Sequence, residues 1–350
     1  VRYQNFSIRL KQLTEAAERG GWSLEDLNRG SARPFWVATH PHAVGAPNRI
    51  AWSFMHGNEP TGFEALLAFM AQGAPRNNWT LVPLVNPTGI DRFTRLTVDG
   101  VDLNRCARIT GPEESDHLKS VLQRAPFELA LNLHDQRSIF HPRGQSIPST
   151  LSVLAPRALI QGKEFVPQRA KEWAGLLSQA VAALEPDWGY ARFDDQYYPE
   201  AFGEWTQELG IPTVTVETGV SLGDYGRTNI ARHLARALTV LDHTRKPLEE
   251  HAAGYEALNA NESTGIDLLL ESPSCQSFWR VVEEVQPELG YRWGIARYSP
   301  ETSGSVVAYQ RIFMESDAHL SLNSQEFWTS SALYASASEG LRSFAAGLPR

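Results

Sequence analysis

Short apolar runs of strand length alternate with amphipathic stretches of helix length from residue 6 to residue 241, and this alternation limits the chain to layered α/β arrangements. The strand-like runs cover residues 35–38, 50–55, 79–85, 127–133, 157–160 and 212–216. Helical patterns cover 6–19, ended by Gly20-Gly21, then 62–70, 114–124, 168–184, 201–209 and 228–241. Runs this apolar suit strands buried on both faces, so the expected core is a largely covered sheet. Residues 136–156, rich in Pro, Ser and Arg, read as a long connection that could cover a site.

Beyond Arg245-Lys246-Pro247, which has the composition of a linker, the texture changes. Residues 248–258 and 277–285 read as helical, 265–270 and 306–314 as strands. The expected organisation is therefore a first unit over 1–247 and a small C-terminal α+β region over 248–350. Phe278 and Trp279 belong to its core. Arg292-Trp293, Arg297-Tyr298 and Tyr309 could line a surface or pack together. Interdomain grooves are common binding sites, so this region is expected beside the site, sharing a rim with 136–156. It could restrict access, join two copies into a homo-oligomer or position a carrier protein.

Composition removes several function classes. With 42% hydrophobic and 21% charged residues and a formal net charge of -8, the chain lacks the basic blocks of a nucleic-acid binder. No run of 18 apolar residues could span a bilayer, and Val1-Arg2-Tyr3-Gln4-Asn5 does not have a secretory pattern. Cys106 and Cys275 permit a disulfide without requiring one, and a reduced cytoplasmic protein is the simpler expectation.

The chemistry gathers where strands end. His56-Gly57-Asn58-Glu59 follows the run 50–55 and precedes the helical pattern 62–70. A histidine and a carboxylate three residues apart can turn to one point there and hold a divalent metal. Left unpaired beside a buried strand, such groups would be costly. His134 ends the run 127–133 and completes a His, Glu, His set. Three protein ligands leave a fourth position open, the mark of a catalytic rather than a structural zinc. Each residue also has a plainer reading: His134 as a hydrogen-bonded core histidine, His56 and Glu59 as a helix-start pair, Asp102 and Arg105 as an ion pair, Glu217 as a helix cap.

Taken in order, His56-Gly57-Asn58-Glu59, Asn86-Pro87-Thr88-Gly89, Gly100-Val101-Asp102-Leu103-Asn104-Arg105, the strand-terminal His134 and the strand-terminal Glu217 resemble the zinc carboxypeptidase (M14) superfamily, which includes the succinylglutamate desuccinylase and aspartoacylase branch. The resemblance covers residues 45–240. It implies a three-layer α/β/α fold with a mixed, mostly parallel central sheet. It also implies one zinc ion per chain, held by His56, Glu59 and His134, with Asp102 orienting His56. Asn104 and Arg105 would hold the free carboxylate of a peptide or N-acyl amino acid substrate. Arg95, with Arg92 as the alternative, would polarise the scissile carbonyl. Glu217 would be the general base on zinc-bound water, and Tyr198, rather than Tyr197, would close over substrate. The reaction implied is carboxypeptidase-like hydrolysis of an amide next to a free carboxylate. An N-acyl amino acid deacylase, a cell-wall peptide amidase and an inactive binding module are the alternatives.

The sequence departs from that pattern in places. Cys106-Ala107-Arg108 follows Arg105 where the family has Asn-Phe or similar, so Cys106 either packs or replaces a polar wall residue. Arg137, His141 and Arg143 would favour an acidic substrate if they faced the cleft, although Arg137 could instead pair with Asp135 on the surface. The short interval from Glu59 to His134 favours a compact bacterial-like amidohydrolase or a trimmed carboxypeptidase.

Overall fold

The computed structural model describes residues 3–31, 33–40, 44–193, 196–271, 276–286, 290–298, 306–313, 327–329, 339–346 and 348. The chain opens with α1 (Phe6–Gly20), β1 (Ser23–Asp26), β2 (Trp36–Thr39), β3 (Asn48–Trp52), α2 (Thr61–Met70), β4 (Asn78–Val82) and α3 (Pro87–Arg92). A 3-10 turn (Leu103–Arg105) leads to α4 (Glu113–Leu122), β5 (Phe127–Asp135), β6 (His141–Pro142), β7 (Ser149–Leu154), β8 (Ala158–Ile160) and β9 (Lys163–Phe165). Then come α5 (Gln168–Ala182), β10 (Gly189–Arg192), α6 (Phe202–Glu208), β11 (Thr213–Thr218), α7 (Thr228–His243), α8 (Glu250–Glu256) and β12 (Asn259–Glu262). Strands β13 (Gly265–Glu271), β14 (Gln276–Gln286), β15 (Gly290–Tyr298), β16 (Val307–Phe313) and β17 (Phe327–Thr329) precede a last helix, Glu339–Ala346.

A ten-stranded sheet runs β1-β2-β4-β3-β5-β11-β7-β10-β12-β6. Its centre, β4-β3-β5-β11, is parallel, as are β7-β10-β12, while β7 lies antiparallel to β11. The outer pairs β1-β2, β2-β4 and β12-β6 are antiparallel, so the sheet is mixed and mostly parallel.

A side-chain period of two decides what each face holds. Leu129, Leu131 and Leu133 of β5 and Val214 and Val216 of β11 pack with α1, α2, α5 and α7 in one core. Ile50, Trp52, Val82 and Ala130 face the other way, toward Leu118, Val121 and Leu122 of α4 and Phe202 of α6. Helices cover both sheet faces because both faces are apolar. Each helix carries a matching stripe: Ile230, Leu234, Leu238 and Leu241 are the buried side of α7. Carbonyls at the end of α7 are held by Arg49, a fully buried cation that donates to Leu241 O and Thr244 O and stacks over Trp173. Local signals set the ends of α1: the Asn5 side chain accepts from Ile8 N, and Gly21 turns the chain with φ 73°.

The second sheet, ordered β16-β13-β14-β15-β17, begins at Gly265. Its core holds Leu268, Leu270, Trp279, Trp293, Ile295, Leu341 and Phe344, and Val220 and Tyr225 from the loop after β11 are part of it. Upstream, α8 packs on α5, its Tyr255 sharing the core of the large sheet. β12 is a strand of that sheet.

Two local expectations are corrected. Residues 277–285 are strand, within β14, not helix. Phe278, Val281, Val282 and Val285 fall at helical spacing, but pairing with β13 and β15 and the branched Val side chains override it. Of the expected strand 157–160, Ala158–Ile160 form with β9 a separate two-stranded hairpin. The strand that enters the sheet there is β7, from inside the expected connection 136–156. Its polar Ser149, Thr150 and Ser152 hid it. Among the described residues no helix is long and apolar enough to cross a membrane.

Candidate metal centre and cleft

The site lies at the carboxyl ends of the adjacent parallel strands β3, β5 and β11, the crevice where α/β sheets bind ligands. After β3 the chain turns sharply at Phe54, whose backbone is left-handed at φ 54°, and His56 and Glu59 point into the crevice. Gly57 in that turn must be glycine: a Cβ would stand 1.9 Å from the carbonyl carbon of Gly89. The Asn86-Pro87-Thr88-Gly89 motif thus braces the metal-site turn. Asn86 accepts from Gly89 N at 2.8 Å and donates to Met55 O and Arg95 O at 3.4 Å.

His56, Glu59 and His134 are buried and converge, each offering one ligand atom within 4.8 Å of the others. Glu59 Oε1 lies 2.8 Å from His56 Nδ1, Glu59 Oε2 2.8 Å from His134 Nδ1, and the two Nδ1 atoms are 3.2 Å apart. Two ring nitrogens facing each other beside a carboxylate form a convergent lone-pair set of the kind that fits a divalent metal ion. At ordinary zinc–nitrogen bond lengths of about 2.0–2.1 Å, tetrahedral ligands sit roughly 3.3 Å apart. The residues present fit such an ion.

The far nitrogen of His56, Nε2, lies 3.2 Å from Asp102 Oδ1, and the other oxygen of Asp102 accepts from Arg95 Nε at 3.0 Å and Nη2 at 2.9 Å. Asp102 also caps the 3-10 turn by accepting from Asn104 N. Burial opposes charge on Asp102, but the His56 hydrogen bond and the charges of His56 and Arg95 outweigh it and hold the carboxyl well below the usual range. The same contest pushes His56 up to about 9: burial lowers it, while Glu59 and Asp102 raise it more. Burial wins at His134, which is lowered.

Beside His134, Glu217 is its register partner on the adjacent strand β11. Burial, and then the nearby Glu59 carboxylate, push its carboxyl up to about 8. Arg105 and Tyr198 share the opposite wall, the guanidinium 5.6 Å from the ring centroid. Tyr198 is 42% exposed and its hydroxyl donates to Gln196, so it is free of the core. Tyr197 is held away by its hydroxyl bond to Glu208 at 2.6 Å. Asn104 lines the cleft and accepts from Phe202 N. Arg95 lines it as well, whereas Arg92 is an exposed residue in the last turn of α3. Cys106 is buried with its thiol on Asp102 O and its pKa raised by burial, so it packs. Cys275 lies outside the described residues.

Of the three downstream cations, only Arg137 reaches the cleft. His141 is buried against Thr264, and Arg143 pairs with Glu262. Asp135 does not pair with Arg137 on the surface. It is buried, and accepts from Arg227 Nη1 at 2.8 Å, Thr61 Oγ1 at 2.8 Å and Thr218 Oγ1 at 2.5 Å. This cluster pins the end of β5 and so the bearing of His134. Arg227 is 92 residues away in sequence, and nothing local announces the pair. Glu204, Phe140, Phe193 and, from the second sheet, Glu283 also line the cleft and were not anticipated.

No family model and no curated protein sequence matches the chain. Solved structures do match its fold. A metallo-carboxypeptidase from Burkholderia cenocepacia aligns over 66% of this chain and 67% of its own at 14% identity, with a TM-score of 0.50. Thrombin activatable fibrinolysis inhibitor aligns over 73% and 75% at 13% identity, with a TM-score of 0.51. The chain has the metallo-carboxypeptidase-like α/β/α fold, and the His-Glu-His set stands in its crevice.

Proposed function

We propose that the protein is a zinc-dependent hydrolase, one zinc per chain, that cleaves an amide or peptide bond next to a free carboxylate, with residues 1–247 and the α8–β12 segment that packs on them as the catalytic unit and the sheet from Gly265 onward as the appended region. The observation that carries this reading is the register of the strand ends: His134 and Glu217 stand side by side on the adjacent strands β5 and β11, while His56 and Glu59 enter from β3. A pure binding module needs no poised base beside a metal set.

His56, Glu59 and His134 would hold the ion, with Asp102 fixing the His56 tautomer so that Nδ1 keeps its lone pair. Bound there, zinc supplies Lewis acidity toward the scissile carbonyl and makes water a better nucleophile near neutral pH. Glu217 takes the proton from the attacking water and returns it to the leaving amine. Its raised pKa suits both halves of that transfer. Arg105 and Asn104 hold the substrate carboxylate, and the guanidinium fork can meet both oxygens. Arg95, 3.4 Å from His56 Nδ1 and tethered by Asp102, faces the oxygen on which negative charge develops. Removing such a donor costs about 3–4 kcal/mol of barrier. Tyr198 closes over the bound carboxylate.

The test is Glu217→Gln, which keeps the shape of the site and removes only the proton acceptor. Metal content should be unchanged and turnover nearly abolished on substrates in which the acyl side and the carboxylate side are varied separately. Full turnover in this variant, or in protein stripped of metal, would end this reading.

A further inference from the structure

A second cavity lies at the other pole of the sheet, where the parallel strands begin. Phe127 opens β5, Pro212 leads into β11, and both line this cavity together with Pro247 of the linker. Phe127 and His134 stand at opposite ends of β5, roughly 23 Å apart at 3.3 Å per residue. The cavity, about 710 Å³, is therefore separate from the metal crevice. Arg169 and Trp173, four apart and so on one face of α5, line it as well.

The polar groups here are mostly donors. Trp173 is 1% exposed, and its Nε1–H is buried with no hydrogen-bond partner. A buried indole N–H is costly until an acceptor arrives. Arg169, Arg245 and Lys246 set three cations on the lining against one carboxylate, the exposed Glu128. Arg169 is tied to Glu172 and to Pro247 O, whereas Arg245 and Lys246 make no ion pair among the described residues. Two further sources add positive potential. The guanidinium of buried Arg49 lies 5.0 Å from the Trp173 ring centroid. Helix α5, 15 residues long, begins here with no side-chain cap and no acid in its first turn.

We infer that this cavity binds a small organic oxyanion, a phosphate or carboxylate carried on an aromatic body, with Trp173, Arg169, Arg245 and Lys246 around the anion and Phe127, Pro212 and Pro247 around the body. An unsatisfied donor and excess cations beside aromatic and prolyl walls match a ligand that is charged at one end and apolar at the other. The guanidinium forks and the helix start suit an anion with two or three oxygens. The site does not depend on the hydrolase reading, since no residue of the metal crevice lines it.

Zinc-loaded protein would be titrated calorimetrically with phenyl phosphate, benzoate, inorganic phosphate and benzyl alcohol. Phenyl phosphate or benzoate should bind at least about tenfold tighter than inorganic phosphate, which lacks the ring, and than benzyl alcohol, which lacks the charge. The tighter of the two identifies the oxyanion. Arg245→Glu combined with Lys246→Glu should weaken that binding at least about tenfold. Trp173→Phe, which keeps a ring and removes the N–H, should weaken it by a similar factor. Arg105→Ala should leave it unchanged, because Arg105 belongs to the catalytic cleft. Unchanged affinity in the Arg245, Lys246 double variant overturns the proposal, whether or not Trp173→Phe folds. Inorganic phosphate binding as tightly as its phenyl ester does the same. Binding that is lost in Arg105→Ala and kept in the double variant puts the anion in the catalytic cleft and also overturns it.

Discussion

At the scale of single residues, the centre is a chain of orientation: Arg95 holds Asp102, Asp102 holds His56, and Asp135 with Arg227 holds the strand end that carries His134. Asp102 takes no ligand position, so Asp102→Asn should leave the fold intact. It frees the His56 ring and returns Arg95 to solvent. Metal affinity should fall about 10–100-fold, read by competition against a chelator of known affinity. An affinity equal to that of the unaltered protein would show that Asp102 does not orient His56. Arg227→Met should be harsher on stability, because it strands the buried Asp135 carboxylate. Losing one partner of such a pair costs roughly 3–5 kcal/mol, measurable by denaturant unfolding.

At the scale of elements, the cleft wall at residues 136–140 follows the end of β5 and is held by the second sheet. Tyr309 of β16 donates to Ser138 O at 2.7 Å and Phe140 O at 3.1 Å, Gly265 N donates to Ile139 O, and Ser138 Oγ donates to Asp267 at 2.8 Å. Arg137 and Phe140 face the cleft from the segment so pinned. Tyr309→Phe removes one donor and no packing volume. It should cost about 1 kcal/mol of stability, leave metal content unchanged and raise KM more than it lowers kcat. A loss confined to kcat would contradict this account of the wall.

Asp267 makes the same seam sensitive to pH. Burial pushes its carboxyl up to about 6, despite hydrogen bonds from Val281 N and Ser138. A carboxyl raised in the folded state lends its full stability below its ordinary pKa near 3.9 and loses it as pH rises through about 6. The unaltered protein should therefore lose on the order of 2 kcal/mol between pH 4 and pH 7 from this group, and Asp267→Asn should not. Paired unfolding curves across that range would show parallel slopes if Asp267 played no part.

At the scale of the whole molecule, metal should act as a staple. His56 and His134 are 78 residues apart and meet only in the folded chain, so an ion held between them binds the native state and not the unfolded one. At a hundredfold excess over its dissociation constant, zinc should add about 2.7 kcal/mol. Chelation should lower the thermal midpoint of the unaltered protein and leave that of His134→Ala unmoved. Equal shifts in the two would place the ion elsewhere. Much of this was legible in the chain itself. The alternation of apolar runs specified the α/β layers, because strand and helix periods are local. That His56, Glu59, His134 and Glu217 gather in one crevice was legible for the same reason: each stands at or just past the end of an apolar run. What sequence misjudged was decided by neighbours. Residues 277–285 carry a helical spacing that strand pairing overrode, and β7 was hidden because its polar positions are satisfied only inside the sheet. Asp135 with Arg227, Glu204 on the lining of the cleft and the second sheet's hold on Ser138 depend on contacts between residues remote in sequence. A pattern along the chain records which residues must be buried. Only the packed structure decides which buried charges meet and which are left facing a ligand.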